Sequence, residues 1–416
     1  MRFHGNGQKM EENLNPKESV PLKTKMRTEL KTFIIGGARP NFMKIAPIWE
    51  EMQKHPAAFS PQIIHTGQHY GEQMSDIFFK QLGIPRPHIS FNVGSGTHAE
   101  QTAAIMLKFE KLCLQQRPKL IVVVGDVNST MACALVGAKL NIKIAHIEAG
   151  LRSGDRTMPE EINRLVTDTI SDLLFTTCRD AGENLKKEGV PDNKIHFVGN
   201  TMIDTLFKFK KLAETESRLN VQADRYGLLT LHRPSNVDDR ETFGRILSAL
   251  NEIAKEIPLI FPAHPRTTKQ IQSFGYENLF NTLAPDSPEM IPENTINRLP
   301  PVSYIDMLKL MKNATLVLTD SGGLQEETTG LGIPCLTLRE NTERPITITE
   351  GTNTLVGTDK EKIIQEGRNI LNAGGKKGAI PHLWDGKASL RIITTLLTKI
   401  NLQPYIEKIN INEKII

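Results

Sequence analysis

The stretch ATLVLTDSGGLQEETTGLGIP, residues 314–334, decides how this chain is read. Residues 314–319 form an apolar run that reads as a buried strand and ends in Asp320. Ser321, Gly322 and Gly323 follow, and a helix is expected from about Leu324. Free backbone N–H groups at a helix start, with no side chains in the way, suit an anion such as a diphosphate. Glu326 and Glu327 lie within about the first turn of that helix. A carboxylate beside a phosphate repels it, so it reads better as an acceptor for a ribose diol. The run therefore points to a nucleoside diphosphate held by main chain and by a carboxylate at the sugar. An ordinary strand–turn–helix with a good cap is the bland alternative, since glycines at such turns are common.

Strand-then-helix units recur on both sides of this run. Apolar strands are expected at 33–37, 119–124, 142–147, 173–177 and 194–199. The helix after the first carries Phe42, Ile45, Trp49 and Met52 on one face. A polar segment near 208–226 reads as a linker. A second set of strands follows at 228–231, 258–263, 295–300, 315–319 and 333–338. Strands alternating with helices imply parallel, doubly wound sheets, so the fold class is α/β. Two such units put a cleft between them, facing the carboxyl ends of the strands. The expected organisation is an extension over 1–30, a first domain over 31–205 and a second, nucleotide-binding domain over 206–380. Residues 381–416 then supply a helix (about 385–400) that crosses back to the first domain, and a tail.

Composition narrows the function. The 416 residues carry a net charge of +4, with Lys and Arg scattered among acids, which is no footprint for nucleic acid. No apolar run is long enough to span a membrane, and the polar N-terminus lacks the apolar core of a secretory signal. Cys113, Cys133, Cys178 and Cys335 are far apart, without CxxC spacing. They fit buried, reduced thiols in a cytoplasmic protein better than disulfides or a metal site.

Polar residues gather where the strands end: Arg39, Asp126, Glu148, His232, His264, Asp320 and Ser321. Arg39 and Lys44, at a helix start, suit a phosphate or carboxylate. Asp126 in GDVNST reads equally as a helix cap. In HIEAGLRSGDRTMPEEINR (146–164), Glu148 follows a buried strand and Pro159 opens a helix. Glu160 and Arg164 on that helix are four apart and share a face, where a plain salt bridge is the alternative reading. His232 and Arg233 precede Pro234 as a plausible diphosphate contact, and HPR (264–266) is a second such loop. Carboxylates, His and Arg near a nucleotide suit proton transfer and charge stabilisation. No nucleophile elbow and no HExxH spacing is present. The stretch GSGTHA (94–99) matches a loose dinucleotide pattern, but no acidic residue closes a strand about 20 residues later, which argues against NAD.

These motifs together resemble the non-hydrolysing UDP-N-acetylglucosamine 2-epimerase family. The resemblance covers about residues 32–400 and rests on GARPNFMKIAPI, TGQHY, VVVGDVNST, HIEAGLRSGDRTMPEEINR, VGNTMIDT, LTLHRPSNVDD, HPRT, TDSGGLQEE and RENTERPITITEGTNTLVG. It implies two Rossmann-like domains of the glycosyltransferase-B type, a homodimer, and a UDP-sugar in the cleft. By motif, Asp126, Glu148 and Glu160 match the family's acid/base carboxylates, and Arg164 an arginine paired into that group. Arg39 and Lys44 match its cations, His232 the histidine at the diphosphate, and Ser321, Gly322 and Gly323 the phosphate turn. Glu327 matches the ribose-binding carboxylate and Arg344 a further active-site cation. Gln68, Arg233 and His264 match an allosteric UDP-sugar site. The implied chemistry eliminates UDP across C1–C2 and adds it back while a proton returns to the opposite face of C2, with no cofactor and no metal. Alternatives are a hydrolysing epimerase that releases UDP and N-acetylmannosamine, a glycosyltransferase of the same architecture, or a non-catalytic sugar-nucleotide sensor. The sequence departs from the family's pattern at the short loop LRSGDRTMPEE, at Ser235 and Met307, and at Gly71 of the implied allosteric site.

Overall fold

The computed structural model describes residues 29–67, 79–217, 219, 223–283 and 291–400. Two parallel seven-stranded sheets form its frame. The first contains β1 (Leu30–Gly36), β2 (Phe59–His65), β3 (Ile89–Ser90), β4 (Leu120–Val124), β5 (Lys143–Ala149), β6 (Leu173–Thr176) and β7 (Ile195–Phe197). Their spatial order is β3-β2-β1-β4-β5-β6-β7. The second contains β8 (Gly227–Thr230), β9 (Leu259–Pro262), β10 (Phe280–Thr282), β11 (Ile296–Leu299), β12 (Leu316–Thr319), β13 (Cys335–Thr337) and β14 (Asn353–Leu355), in the order β10-β11-β9-β8-β12-β13-β14. Helices cover both faces, so central strands such as β4 are apolar along their whole length and fully buried.

Four of these strands differ from the sequence expectation. Segments β2, β3, β10 and β14 carry no continuous apolar run. In β2 the sequence FSPQIIH includes a proline, which lacks the N–H a central strand needs. Register explains how it is tolerated: β1 pairs with all seven residues of β2, but β3 reaches only Ile64 and His65. Pro61 therefore lies on a length of β2 that β3 leaves uncovered. The GSGTHA stretch is a helix start. Thr97 Oγ1 accepts from the Glu100 N–H (3.2 Å) and Glu100 Oε2 accepts from the Thr97 N–H (2.9 Å), a capping box.

The linker also differs. The helix Thr201–Glu216 takes up the first part of the segment read as polar, because Phe209 and Ala213 bury one face of it. The 205/206 boundary falls inside this helix, and the connection between the sheets is residues 217–226. The helix packs against Arg39–Gln53 of the first half and against Tyr304–Asn313 and Gly322–Leu331 of the second. Phe42, Leu206, Phe209, Leu308 and Val317 belong to one continuous apolar cluster, so the halves share a core. The helix Ala388–Lys399 packs on Arg39–Gln53. Its first N–H groups, of Ala388 and Ser389, donate to Asp204 (3.0 and 2.7 Å), and Trp384 Nε1 donates to the Thr177 carbonyl (2.9 Å). All four cysteines are buried and unpaired.

The strand order switches direction between β1 and β4 in the first sheet and between β8 and β12 in the second, where β11 is also inserted between β9 and β10. Crevices beyond the carboxyl ends of strands at such points are where open α/β sheets bind ligands.

Candidate active site

At the first reversal, β1 leads through Gly37 and Ala38 into the helix opened by Arg39. Asn41 fixes this turn: its Oδ1 accepts from the Ala38 N–H (2.9 Å) and its Nδ2 donates to the Val124 carbonyl at the end of β4 (3.2 Å). One turn on, Lys44 points at Glu148, with Nζ 2.5 Å from Oε2. Glu148 sits where the β5–β6 register shifts, and its φ is +68°. A non-glycine residue in the left-handed region is strained, and a bulge is a common way to re-aim a side chain at a site.

Asp126 follows β4 and Gly125. Arg164, buried on the helix Pro159–Ile170, pairs with Asp126 and, at 2.6 Å, with Glu161. Glu161 also accepts from the Ser153 and Gly154 N–H groups (3.0 Å each), so it pins the loop after β5. The expected Glu160–Arg164 pair is not formed. Arg164 turns to Asp126 and to the residue three positions away. Glu160 has no hydrogen-bond or ion-pair partner among the described residues, and it lines a cavity of about 330 Å³ with Gly37, Gly67, Ser95, His98 and Asn128.

At the second reversal, Asp320 organises two loops. It is fully buried and accepts from the backbone N–H groups of His232 and Arg233 (2.9 Å each) and from Asn236 Nδ2 (3.3 Å). The His232 ring lies against it, Nδ1 to Oδ1 at 2.9 Å. Arg233 Nε donates to the Asp320 carbonyl (2.9 Å), and the His264 ring centre is 5.9 Å from that of His232. Burial alone would push the Asp320 carboxyl up, but His232 and these N–H groups hold it below the usual range.

Ser321 is the N-cap of the helix Gly322–Leu331, so Gly322 and Gly323 are its first residues. Their N–H groups lack intrahelical partners and head a positive helix end. Glu326 and Glu327 are both buried one turn on. Glu327 Oε1 accepts from the Tyr304 hydroxyl (2.7 Å), and burial pushes its carboxyl up to about 7.

Arg344 joins the two halves. It is buried, and its Nη2 reaches Glu148 Oε1 across the cleft (3.0 Å) while its Nε lies 2.9 Å from Glu326 Oε1. It also pairs with Glu343, which Arg339 holds at 2.8 Å. Burial alone would push the Glu148 carboxyl up, but Lys44 and Arg344 pull it below the usual range. Asp126 goes the other way: loss of solvent raises it, Arg164 opposes, and Glu148 adds to the rise. Two nearby carboxylates with opposite shifts are what an acid–base pair requires.

Residues 50–397 match the sequence profile of UDP-N-acetylglucosamine 2-epimerase. The chain belongs to the UDP-N-acetylglucosamine 2-epimerase family. A relative of that name from Methanocaldococcus jannaschii is 45% identical over 88% of this chain and 99% of its own. The Escherichia coli K12 protein of the same name is 32% identical over 88% and 98%. A Pseudomonas aeruginosa relative, 40% identical over 82% and 92%, is named UDP-2,3-diacetamido-2,3-dideoxy-D-glucuronate 2-epimerase. Among solved structures, the M. jannaschii enzyme in complex with UDP-GlcNAc and UDP superposes with a TM-score of 0.79 at 43% identity, over 88% of this chain and 99% of that one. The Neisseria meningitidis UDP-GlcNAc 2-epimerase bound to UDP-GlcNAc gives 0.77 at 29%, over 89% and 100%. The two-domain glycosyltransferase-B architecture of this epimerase family is the fold described above.

The structure of this epimerase-family chain thus brings Lys44, Asp126, Glu148, Arg164 and Arg344 into one cluster. His232, Arg233 and His264 form a second around Asp320. Ser321, Gly322, Gly323 and Glu327 lie along the helix start between them. Gln68 lies outside the described residues. The sequence offers Asp320 as one of the polar strand-end residues and Glu326, beside Glu327, as a ribose acceptor, but it gives Glu161 and Tyr304 no site role. Glu161 lies in the first turn of its helix, where acidic residues are favoured in any case, and a tyrosine 23 residues from its partner Glu327 gives no spacing signal.

Proposed function

We propose that this chain is a non-hydrolysing epimerase that interconverts UDP-GlcNAc and UDP-ManNAc, or a close UDP-2-acetamido sugar. It would act as a cytoplasmic homodimer that supplies ManNAc-type sugars for surface polysaccharide. The observation that carries the reading is the junction at Glu148: a strained carboxylate of the first half, held by Lys44 beside it and by Arg344 from the nucleotide half.

In this reading UDP is held by the N–H groups at Ser321–Gly323 and by His232, with Glu327 at the ribose. The C2 proton of an N-acetylhexosamine is not next to a carbonyl, so direct deprotonation is very hard. Elimination avoids this: a base takes the C2 proton, the C1–O bond breaks, and UDP leaves with its electron pair to give a 2-acetamidoglucal. UDP then re-adds at C1 while a proton is delivered to the opposite face of C2. Glu148, kept ionised by two cations, serves as base in one direction. Asp126, whose surroundings favour the protonated form, serves as acid. Glu160, without an ion-pair partner among the described residues, completes the set. Lys44, Arg344 and His232 offset the charge on departing UDP, so no external cofactor or metal enters this scheme.

Incubation with UDP-GlcNAc alone tests it. Chromatography should show UDP-ManNAc rising to a stable mixture approached from either epimer. Free ManNAc with stoichiometric UDP would mean the hydrolysing reaction instead. A UDP-2,3-diacetamido uronic acid belongs in the same panel, and strong preference for it would move the substrate, not the chemistry.

A further inference from the structure

Two buried groups that the mechanism does not use sit directly beneath its carboxylates. His146, on β5, is completely buried. Its Nδ1 lies 2.6 Å from Asp168 Oδ1 and its Nε2 lies 2.8 Å from the carbonyl oxygen of Gly125. A carbonyl oxygen only accepts, so Nε2 must carry a proton. Asp168 is equally constrained. Its Oδ2 accepts from the Gly150 N–H (3.0 Å) and lies 2.8 Å from Arg152 Nη1, an arginine that also pairs with Glu188 at 2.6 Å. Burial alone would raise the Asp168 carboxyl, yet His146 and Arg152 hold it below the usual range. An ionised carboxylate only accepts, so Nδ1 must carry a proton too.

We propose that His146 is a positioning residue: a buried ring protonated on both nitrogens, whose two N–H groups tie the turn carrying Asp126 to the bulge carrying Glu148. The geometry is direct. Gly125, with φ +68°, immediately precedes Asp126, and its carbonyl is held by Nε2. Gly150, with φ +80°, follows Glu148 by two residues, and its N–H is held by the same Asp168 that holds Nδ1. One ring thus sets the spacing of the two strand ends. Asp168 from the helix Pro159–Ile170, Arg152 from the loop after β5 and the Gly125 carbonyl from the β4 turn are the groups bonded to the ring or to its counterion. The inference deepens the epimerase reading and rests on it for the roles of Asp126 and Glu148. The charge state itself is measured without turnover.

The test uses the full chain labelled with ¹⁵N-histidine and free of ligand. Long-range ¹H–¹⁵N spectra at pH 7.5 should show one ring with both nitrogens protonated. Its two N–H protons exchange slowly because the ring is buried, which identifies it in wild type even if a variant fails to fold. Asp168→Asn should convert that ring to a neutral form with a single N–H. In kinetics, His146→Gln should lower kcat by at least about 10-fold while UDP affinity stays within about twofold, a split that general destabilisation does not produce. One unprotonated nitrogen on the buried ring at pH 7.5, or unchanged kcat in a folded His146→Gln, would overturn the proposal.

Discussion

At the residue scale, the proposed reaction assigns proton transfer to Glu148, held below the usual carboxylate range by Lys44 and Arg344, and to Asp126, raised by loss of solvent. Replacing Asp126, Glu148 or Glu160 by its amide should lower kcat by on the order of 10²–10⁴-fold, the usual worth of general acid–base catalysis. UDP affinity should change little. Wild-type turnover in all three would reduce them to caps and salt-bridge partners. The pH profile follows from the same two groups. In the direction that uses Glu148 as base, activity is lost as pH falls through its depressed value, where it becomes protonated. It is also lost as pH rises through the raised Asp126 value, where the acid ionises. Glu327 gives a separate, structural signature. Its value rises from 4.5 to about 7 on folding, so its contribution is present below 4.5 and is lost as pH climbs through about 7. Glu327→Gln should therefore match wild-type stability near pH 4.5 and exceed it at pH 8, by up to about 3 kcal/mol. The same variant should lose most of the preference for UDP over 2′-deoxy-UDP, because one charged hydrogen bond is worth roughly 1.5–3 kcal/mol. Equal stability at both pH values would contradict the burial account, and an unchanged preference would place ribose recognition elsewhere.

At the element scale, the start of the helix Gly322–Leu331 is tightly constrained. A Cβ on Gly322 would lie 2.6 Å from Arg344 Nη1 and 3.0 Å from Glu343 Oε1. The glycine leaves room for the arginine as well as for a phosphate. Gly322→Ala should keep the fold but displace Arg344, lowering kcat/KM at least about 10-fold, a loss of about 1.4 kcal/mol. Activity within twofold of wild type would show that Arg344 moves aside freely. This element was legible in the sequence because an apolar run, an aspartate and two glycines are local signals. The strands β2, β3, β10 and β14 were not, because their place depends on neighbours: β2 keeps Pro61 only where β3 stops short of it. Arg164 shows the same limit among side chains. Helical spacing offered it Glu160, and the fold gave it Asp126 and Glu161.

At the scale of the whole molecule, each half holds part of one site. In the proposed site, Asp126 and Glu148 come from strand ends of the first sheet and Lys44 from the helix after β1, while His232 and Ser321 follow β8 and β12 of the second and Arg344 comes from the loop after β13. The helix Thr201–Glu216 and the returning helix Ala388–Lys399 fix the halves against each other through a shared apolar core. Two parallel α/β units were readable from periodicity alone, and the cleft followed from their topology. The bridging role of Thr201–Glu216 was not readable, because its polar outer face hides an inner face that only two packed domains bury. In the proposed reaction the paired carboxylates of this cleft exchange the C2 proton through an elimination intermediate. Turnover of UDP-GlcNAc in D2O, followed by NMR, tests it most directly. UDP-ManNAc should carry solvent deuterium at C2 with no added NAD or metal, whereas retention of the original C2 proton in the product would rule out elimination.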